Sequence, residues 1–180
     1  YEFPQTSNDG KTNLPNLKNI IQFTMEGAIS IDPDDFNMNS IPDECIQIDN
    51  TNDEIDTNTA HPYLKLKSKT RNAEYKDKTY HSLLSFQKRD SPIHAEIIDI
   101  RNPSKTIICT YDHQPRLFVP LKNKNGYFLR CIIPHELKQI QGFPSDFIVC
   151  GNKKDQIKQI GNAVPPLLIK QIAEQIIKHV

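Results

Sequence analysis

Three polar side chains close together in the middle of the chain have the chemistry to read DNA bases. His113, Gln114 and Arg116 follow a run rich in β-branched residues at positions 105–111. A glutamine amide can pair with adenine, and an arginine fork matches O6 and N7 of guanine. By residue type alone, the commoner interpretation is a strand and hairpin with a polar tip, and both interpretations stay open at this point.

A basic stretch rich in aromatic residues precedes them. Its cations are Lys65, Lys67, Lys69, Arg71, Lys76, Lys78, Lys88 and Arg89, and its aromatic residues are Tyr63, Tyr75, Tyr80 and Phe86. Residues 1–60 contain 2 basic and 12 acidic residues, whereas residues 61–180 contain 20 basic and 10 acidic residues. This asymmetry favours a polyanionic partner for the later part, with the basic stretch contacting phosphates. A solvated lysine-rich face in front of aromatic core residues explains the same pattern.

Short strands are predicted to carry these side chains. The patterns favour strands over residues 63–67, 105–111, 117–119 and 127–130, with one or two more between Ile93 and Ile100. The Asn123-Lys-Asn-Gly126 sequence predicts a hairpin turn. Residues 1–4 read as the end of a strand. Residues 25–60 are acidic, contain two prolines and read as an irregular loop, with the best linker candidate at 50–59.

Helices are predicted near both ends of the chain. The spacing of Leu14, Leu17, Ile20 and Ile21 predicts a short helix. A second helix is predicted to begin at Pro134 and end at Gly142. The last helix opens at Pro165-Pro166 and carries two apolar rows: Leu168, Ile172 and Ile176, then Ile169, Ala173 and Ile177. Those rows could face the core or a partner.

Size and composition restrict the class of protein. The 180 residues suffice for one ordinary domain, the mean hydropathy is −0.58, and no apolar run approaches the roughly 20 residues that span a bilayer. The four cysteines show no zinc-ligand spacing, so free thiols are expected, with no metal and no membrane partner. A cytoplasmic location is expected. The chain opens with Tyr1 rather than Met, which suggests a fragment or a processed product.

Two motifs in the last third carry a specific resemblance. The first has Arg130, then Pro134 and Glu136, and closes with Gln-Gly-Phe-Pro at residues 141–144. The second reads Gly-Asn-Ala-Val-Pro-Pro at residues 161–166. In this order and at this spacing they resemble the ninth and tenth motifs of DNA cytosine-5 methyltransferases. The start of the chain resembles the segment after the eighth motif of that family.

The resemblance implies roles for particular residues. The first motif, through Arg130, Pro134, Glu136, Gln141 and Gly142, would be a scaffold in which an Arg-carboxylate pair joins a strand to a helix. The second would wall an S-adenosylmethionine pocket through Asn162, Ala163 and Val164, with backbone contacts serving where many members have Ser in place of Ala163. The implied target-recognition region contains a Thr-aliphatic pair, matched by Thr106 and Ile107. The implied DNA contacts are Arg71, Arg89, Thr106, Thr110, Tyr111, His113, Gln114 and Arg116.

The chemical machinery of that family does not occur in this sequence. The family adds a cysteine thiolate to cytosine C6, which needs a Pro-Cys loop, and it also uses Glu-Asn-Val and Gly-x-Gly segments. The chain contains no Pro-Cys, Asn-Val or Gly-x-Gly sequence, so no catalytic residue is assigned. The expected partners are double-stranded DNA and a catalytic subunit, or the missing N-terminal half of the same enzyme.

The resemblance implies an α/β protein overall, of the Rossmann-like methyltransferase superfamily. This piece would be the small, mainly β target-recognition domain with short helices and a C-terminal helix that returns to the catalytic domain. The expected divisions are 1–24, returning from the catalytic domain; 25–60, an acidic linker; 61–148, target recognition with the ninth motif; and 149–180, the tenth motif and last helix. The expected activity is part of a DNA cytosine-5 methyltransferase in a restriction-modification system. The alternative is a stand-alone DNA-binding regulator.

Overall fold

One mixed β-sheet organises the chain. The structure is a computed structural model that describes residues 16–53, 55, 60–62, 64, 73–75, 78–80, 84–88 and 95–179. The strands of the sheet are β1 (Ile29–Ile31), β2 (Gln47–Ile48), β5 (Ser85–Phe86), β6 (Glu96–Ile97), β7 (Leu117–Asn123) and β8 (Gly126–Cys131). A separate antiparallel pair consists of β3 (Ala73–Tyr75) and β4 (Lys78–Tyr80).

The predicted hairpin forms the centre of the sheet. Strands β7 and β8 pair antiparallel from Phe118 opposite Cys131 to Asn123 opposite Gly126. The side chain of Asn123 accepts a hydrogen bond from the backbone N–H of Asn125 in the turn, and Gly126 has a φ of +129°. The sheet order is β1-β8-β7-β6-β5, and the short strand β2 also pairs with β7, in parallel. The hairpin prediction is therefore confirmed.

Both faces of β7 are buried, and each belongs to its own core. Successive side chains of a strand point to opposite faces of the sheet. Leu117, Val119 and Leu121 accordingly join one apolar cluster, while Phe118 joins the other. Burial on both faces explains why this strand reads as a nearly continuous apolar run.

Three helices follow the hairpin. They are α1 (Pro134–Ile140), α2 (Lys153–Asn162) and α3 (Pro166–Lys178). Ile157 and Ile160 of α2 and Leu137 of α1 pack into the first cluster, whereas α3 has no buried residue. The helix predicted from Pro134 to Gly142 and the one predicted to open at Pro165-Pro166 are both found.

The second cluster is covered by the acidic segment that was predicted to be irregular. Residues 25–60 contain β1, β2 and two short 3-10 turns at Met38–Ser40 and Asp43–Cys45. Apolar residues of this segment pack on the sheet: Phe36, Met38, Ile41, Cys45 and Ile46. The loop prediction is therefore wrong at residues 29–31 and 47–48, which are strands, because Asn and Asp residues at exposed positions concealed the spaced apolar residues between them.

Two other predicted elements differ in the structure. Residues 105–108 form no regular element and residues 109–114 form turns, so the predicted strand over 105–111 is wrong. Its β-branched composition reflects packing, since Ile107 and Tyr111 are buried in the first cluster. The predicted helix from Leu14 to Ile21 is a 3-10 turn at Leu17–Asn19, and Leu14 lies outside the described residues. The predicted strand end at residues 1–4 also lies outside them.

Candidate functional site

A buried ion pair joins the end of the central hairpin to α1. Both terminal nitrogens of Arg130 donate to the carboxylate of Glu136, at 2.8 and 2.7 Å, and both side chains have 0% exposure. The same carboxylate accepts from the backbone N–H groups of Gln22 and Ile133, at 3.0 and 3.1 Å. Four hydrogen bonds thus satisfy one carboxylate, which is what burial of a charged pair requires. The predicted strand-to-helix joint is confirmed.

The end of α1 is also tied to the later helices. Gln141 donates a hydrogen bond from Nε2 to the carbonyl of Ile160 in α2, at 3.2 Å. Gly142 has a φ of +78°, in the region that favours glycine, and Leu167 of α3 lies against it. The closing residues of the first motif therefore position α2 and the start of α3.

The segment 105–116 exposes several polar side chains to solvent, while the side chain of Tyr111 is buried in the core. Thr106, Thr110, His113 and Gln114 are exposed, and Arg116 is half-buried. Tyr111 is buried: its hydroxyl donates to the carbonyl of Leu117 at 2.6 Å and accepts from the N–H of Ile132 at 3.0 Å. Burial raises the pKa of this phenol well above its ordinary value.

Tyr111 was predicted to contact DNA, and the structure corrects that prediction. A side chain with 3% exposure and both hydrogen-bonding roles filled has nothing left to offer a base. Arg71 and Arg89, the other basic residues predicted to contact DNA, lie outside the described residues, as does most of the basic stretch.

The second motif forms the junction between α2 and α3. Asn162 is the last residue of α2 and is exposed, Ala163 is half-buried, and Val164 is 56% exposed. Beyond them, α3 exposes the large apolar side chains Leu167, Leu168, Ile169, Ile172, Ile176 and Ile177. Residues 162–164 thus stand at the edge of an open apolar surface.

A buried lysine of α1 stabilises the loop that follows this helix. The ammonium group of Lys138 donates to the carbonyls of Ser145 and Phe147, at 2.9 and 2.8 Å, and the residue is only 8% exposed. This loop exposes Phe147 and Ile148. Sequence reasoning missed Lys138, because nothing in the sequence separates a lysine that caps carbonyls from the many surface lysines around it.

A cleft of about 320 Å³ lies between α2 and the turn at 109–114. Its lining includes Glu26, His61, Tyr111, Cys131 and Lys153, and residues 162–164 are not part of it. The ring nitrogen Nε2 of His61 is hydrogen-bonded to the carbonyl of Asp112, which connects residues 60–62 to the turn. Lys153 donates to the carboxylate of Glu26 at 3.3 Å, and the hydroxyl of Tyr111 is hydrogen-bonded to the backbone, so these polar groups of the lining already have partners.

The described residues contain no candidate metal site and no candidate membrane-spanning helix. In those parts of the chain, His, Cys, Asp and Glu form no group of three or more that could bind a metal. None of the helices described there has the length and apolar character to cross a bilayer.

The chain belongs to the C-5 cytosine-specific DNA methylase family, whose conserved domain matches residues 4–178. Members of this family are transferases that act on DNA and use S-adenosylmethionine. A fold with a mixed sheet and a few helices is consistent with a methyltransferase-like α/β protein. No solved structure matches the chain.

Curated relatives match shorter stretches. The chain is 49% identical over 49 residues to the Type II methyltransferase M1.HphI of Haemophilus parahaemolyticus, covering 27% of this chain and 13% of that protein. It is 33% identical over 72 residues to M.MspI of Moraxella sp, covering 40% and 17%, and 48% identical over 57 residues to M.SsoII of Shigella sonnei, covering 32% and 15%. The aligned stretches thus span less than one fifth of each relative.

Proposed function

We propose that this chain is the DNA-recognition and cofactor-pocket-completing part of a DNA cytosine-5 methyltransferase. The enzyme would transfer a methyl group from S-adenosylmethionine to C5 of cytosine, within a type II restriction-modification system. The family match over residues 4–178 is the observation that carries this proposal. The relatives, all called type II methyltransferases, support the restriction-modification setting.

The DNA-facing surface in this proposal is the segment 105–116. Thr106, Thr110, His113, Gln114 and Arg116 offer donors and acceptors at its surface, and the buried Tyr111 fixes the turn beneath them. Base readout needs side chains held in register by a rigid support, which the core packing of Ile107 and Tyr111 supplies. Arg71 and Arg89 remain proposed phosphate contacts on sequence grounds.

The cofactor side in this proposal is the segment 162–164. S-adenosylmethionine supplies an electrophilic methyl group when bound. The residues fit one wall of its pocket, because the exposed Asn162 amide can donate and accept hydrogen bonds, and Val164 offers an apolar contact that excludes water. Ala163 has no hydroxyl, so its backbone would make the contact at that position.

The reactive thiol in this proposal belongs to another stretch of protein. The sequence has no Pro-Cys, so the 180 residues are not expected to be active alone. The exposed apolar face of α3 supports the proposal, since a solvent-facing row of Leu and Ile of this size is typical of a surface that another protein segment covers. The catalytic subunit, or the N-terminal half of the same chain, is the proposed occupant.

The experiment mixes this chain with the polypeptide that carries the Pro-Cys and Glu-Asn-Val segments. Labelled S-adenosylmethionine and bacterial genomic DNA are the substrates, and label on cytosine C5 is measured. Transfer is expected only when both polypeptides are present. Sequence-specific DNA binding by this chain, with no transfer after the second polypeptide is added, would instead favour the stand-alone regulator.

A further inference from the structure

Gly161 lies directly against the backbone of the DNA-facing segment. A Cβ atom at this position would lie 2.6 Å from the Cα of Cys109, 2.7 Å from its nitrogen and 2.8 Å from the carbonyl carbon of Ile108. All three neighbours are backbone atoms, which cannot rotate away as the end of a side chain can. Helix α2 can therefore reach residues 108–109 only where it carries a glycine.

This contact joins the two proposed sites over a very short path. Gly161 directly precedes Asn162, the first cofactor-side residue, and Cys109 directly precedes Thr110 in the DNA-facing segment. A shift of about one ångström at the contact would therefore reach both segments within one or two residues.

Core packing makes both sides of the contact stiff. Ile107 and Tyr111, on either side of Cys109, belong to the same buried cluster as Ile157 and Ile160 of α2. The carbonyl of Ile160 also accepts the hydrogen bond from Gln141. Because close-packed interiors transmit displacement rather than absorb it, the two backbones should move as a unit.

We propose that Gly161 is a positioning residue that sets the spacing between the DNA-facing and cofactor-side segments, and so couples DNA binding to methyl-donor binding. The inference rests on the proposed function. Coupling of this kind is reciprocal, so bound DNA changes the affinity for S-adenosylmethionine by the same factor as the methyl donor changes the affinity for DNA.

The test compares Gly161→Ala with Lys154→Ala in the assembled methyltransferase, that is, this chain with its catalytic part. Gly161→Ala is expected to raise the equilibrium Kd for both DNA and S-adenosylmethionine by about fivefold or more. Lys154→Ala places an alanine at an exposed position of the same helix, outside both proposed segments, so both Kd values should stay within about twofold of wild type. A rise in only one Kd, or none, would overturn the inference.

A second measurement needs no variant and covers the case in which Gly161→Ala does not fold. Hydrogen exchange of the amides at 105–112 is followed in the wild-type assembly, with and without S-adenosylmethionine and in the absence of DNA. Slower exchange on adding the methyl donor is expected, and unchanged exchange would overturn the coupling. Failure of the proposed function would show separately, as a wild-type assembly that methylates no DNA.

Discussion

Arg130 and Glu136 form a two-pronged ion pair from which solvent is completely excluded, and the same carboxylate reaches back to Gln22, more than a hundred residues earlier. The pair therefore fastens the first described segment, the central hairpin and α1 at a single point. Replacing only one of the two residues should destabilise the fold strongly, because the charge of the other would stay buried without its partner.

Replacing Arg130 with Met should destabilise the chain by about 3 to 5 kcal/mol, because Glu136 would then be an unpaired buried charge. Urea unfolding of the chain, followed by circular dichroism, measures this change. The double variant with Glu136→Leu is the matched control and should recover part of the loss. A single variant as stable as wild type would contradict the account of the joint.

Stability should fall in acid partly because of Asp99. Burial alone raises the pKa of this carboxyl group, but hydrogen bonds from the side chain and backbone of Arg101 outweigh it and hold the pKa below its ordinary value. The folded pKa is the lower one, so the contribution is present above about pH 3.9 and disappears as pH falls through the folded pKa.

The variant Asp99→Asn tests this dependence. It should cost about 2 kcal/mol at pH 7, since the hydrogen bonds from Arg101, Gln87 and Asn102 lose a charged acceptor. The cost should stay the same from pH 7 down to about pH 4 and shrink as unfolding is measured from there towards about pH 2, where the carboxyl group becomes protonated. A cost that is the same at both ends of the range would show that the carboxylate charge is not the cause.

Tyr111→Phe should reveal whether the phenol supports the turn. Loss of the hydroxyl leaves the buried N–H of Ile132 and the carbonyl of Leu117 without this partner, at an expected cost of about 1 to 3 kcal/mol. The free energy of unfolding measures it. A loss below about 0.5 kcal/mol would mean that apolar packing alone fixes the turn.

Arg116→Ala should relax base discrimination by about 1 to 3 kcal/mol if the guanidinium reads a base. The assembled enzyme is equilibrated with duplexes from a randomised pool, and the bound sequences are compared between variant and wild type. Lys124→Ala, in the exposed turn of the hairpin, is the control for lost charge. Equal weakening on every sequence would make Arg116 a phosphate contact instead.

Ile169→Lys should weaken assembly without weakening the fold. Ile169 is 49% exposed on α3, so the free energy of unfolding of the isolated chain should change by no more than about 0.5 kcal/mol. Binding to the catalytic part, measured by calorimetry, should fall because the charge must be desolvated at the interface. Gln171→Lys, which adds the same charge at an exposed polar position, is the control. Unchanged binding of the Ile169 variant would exclude this face as the interface.

Sequence reasoning succeeded where local rules dominate. Turn residues predicted the β7–β8 hairpin, and Pro134, Glu136 and Gly142 predicted the bounds of α1, since each residue serves a local backbone requirement. The Arg130–Glu136 pair was predicted because the two residues bracket one strand-to-helix joint.

Sequence reasoning failed where packing between residues far apart in the chain determines the structure. Residues 105–111 have strand composition, yet Tyr111 turns inward to bridge Leu117 and Ile132, which no local pattern encodes. The cover formed by residues 29–48 is likewise built from scattered apolar residues whose common partner is the sheet. The contact between Gly161 and Cys109 joins residues far apart in the chain and leaves no local signature.

Because both faces of β7 are buried, this strand restricts which insertions and deletions the chain can tolerate in evolution. Removing or adding a single residue within that strand would turn the following side chains to the opposite face of the sheet. The close-packed cores on the two faces would not accommodate them. Exposed polar side chains of the irregular stretch between β6 and β7, such as Thr106 and Gln114, carry no such alternation and are free to change in type. If the proposed function holds, new DNA sequence preferences could therefore arise at those positions while the sheet beneath them stays the same.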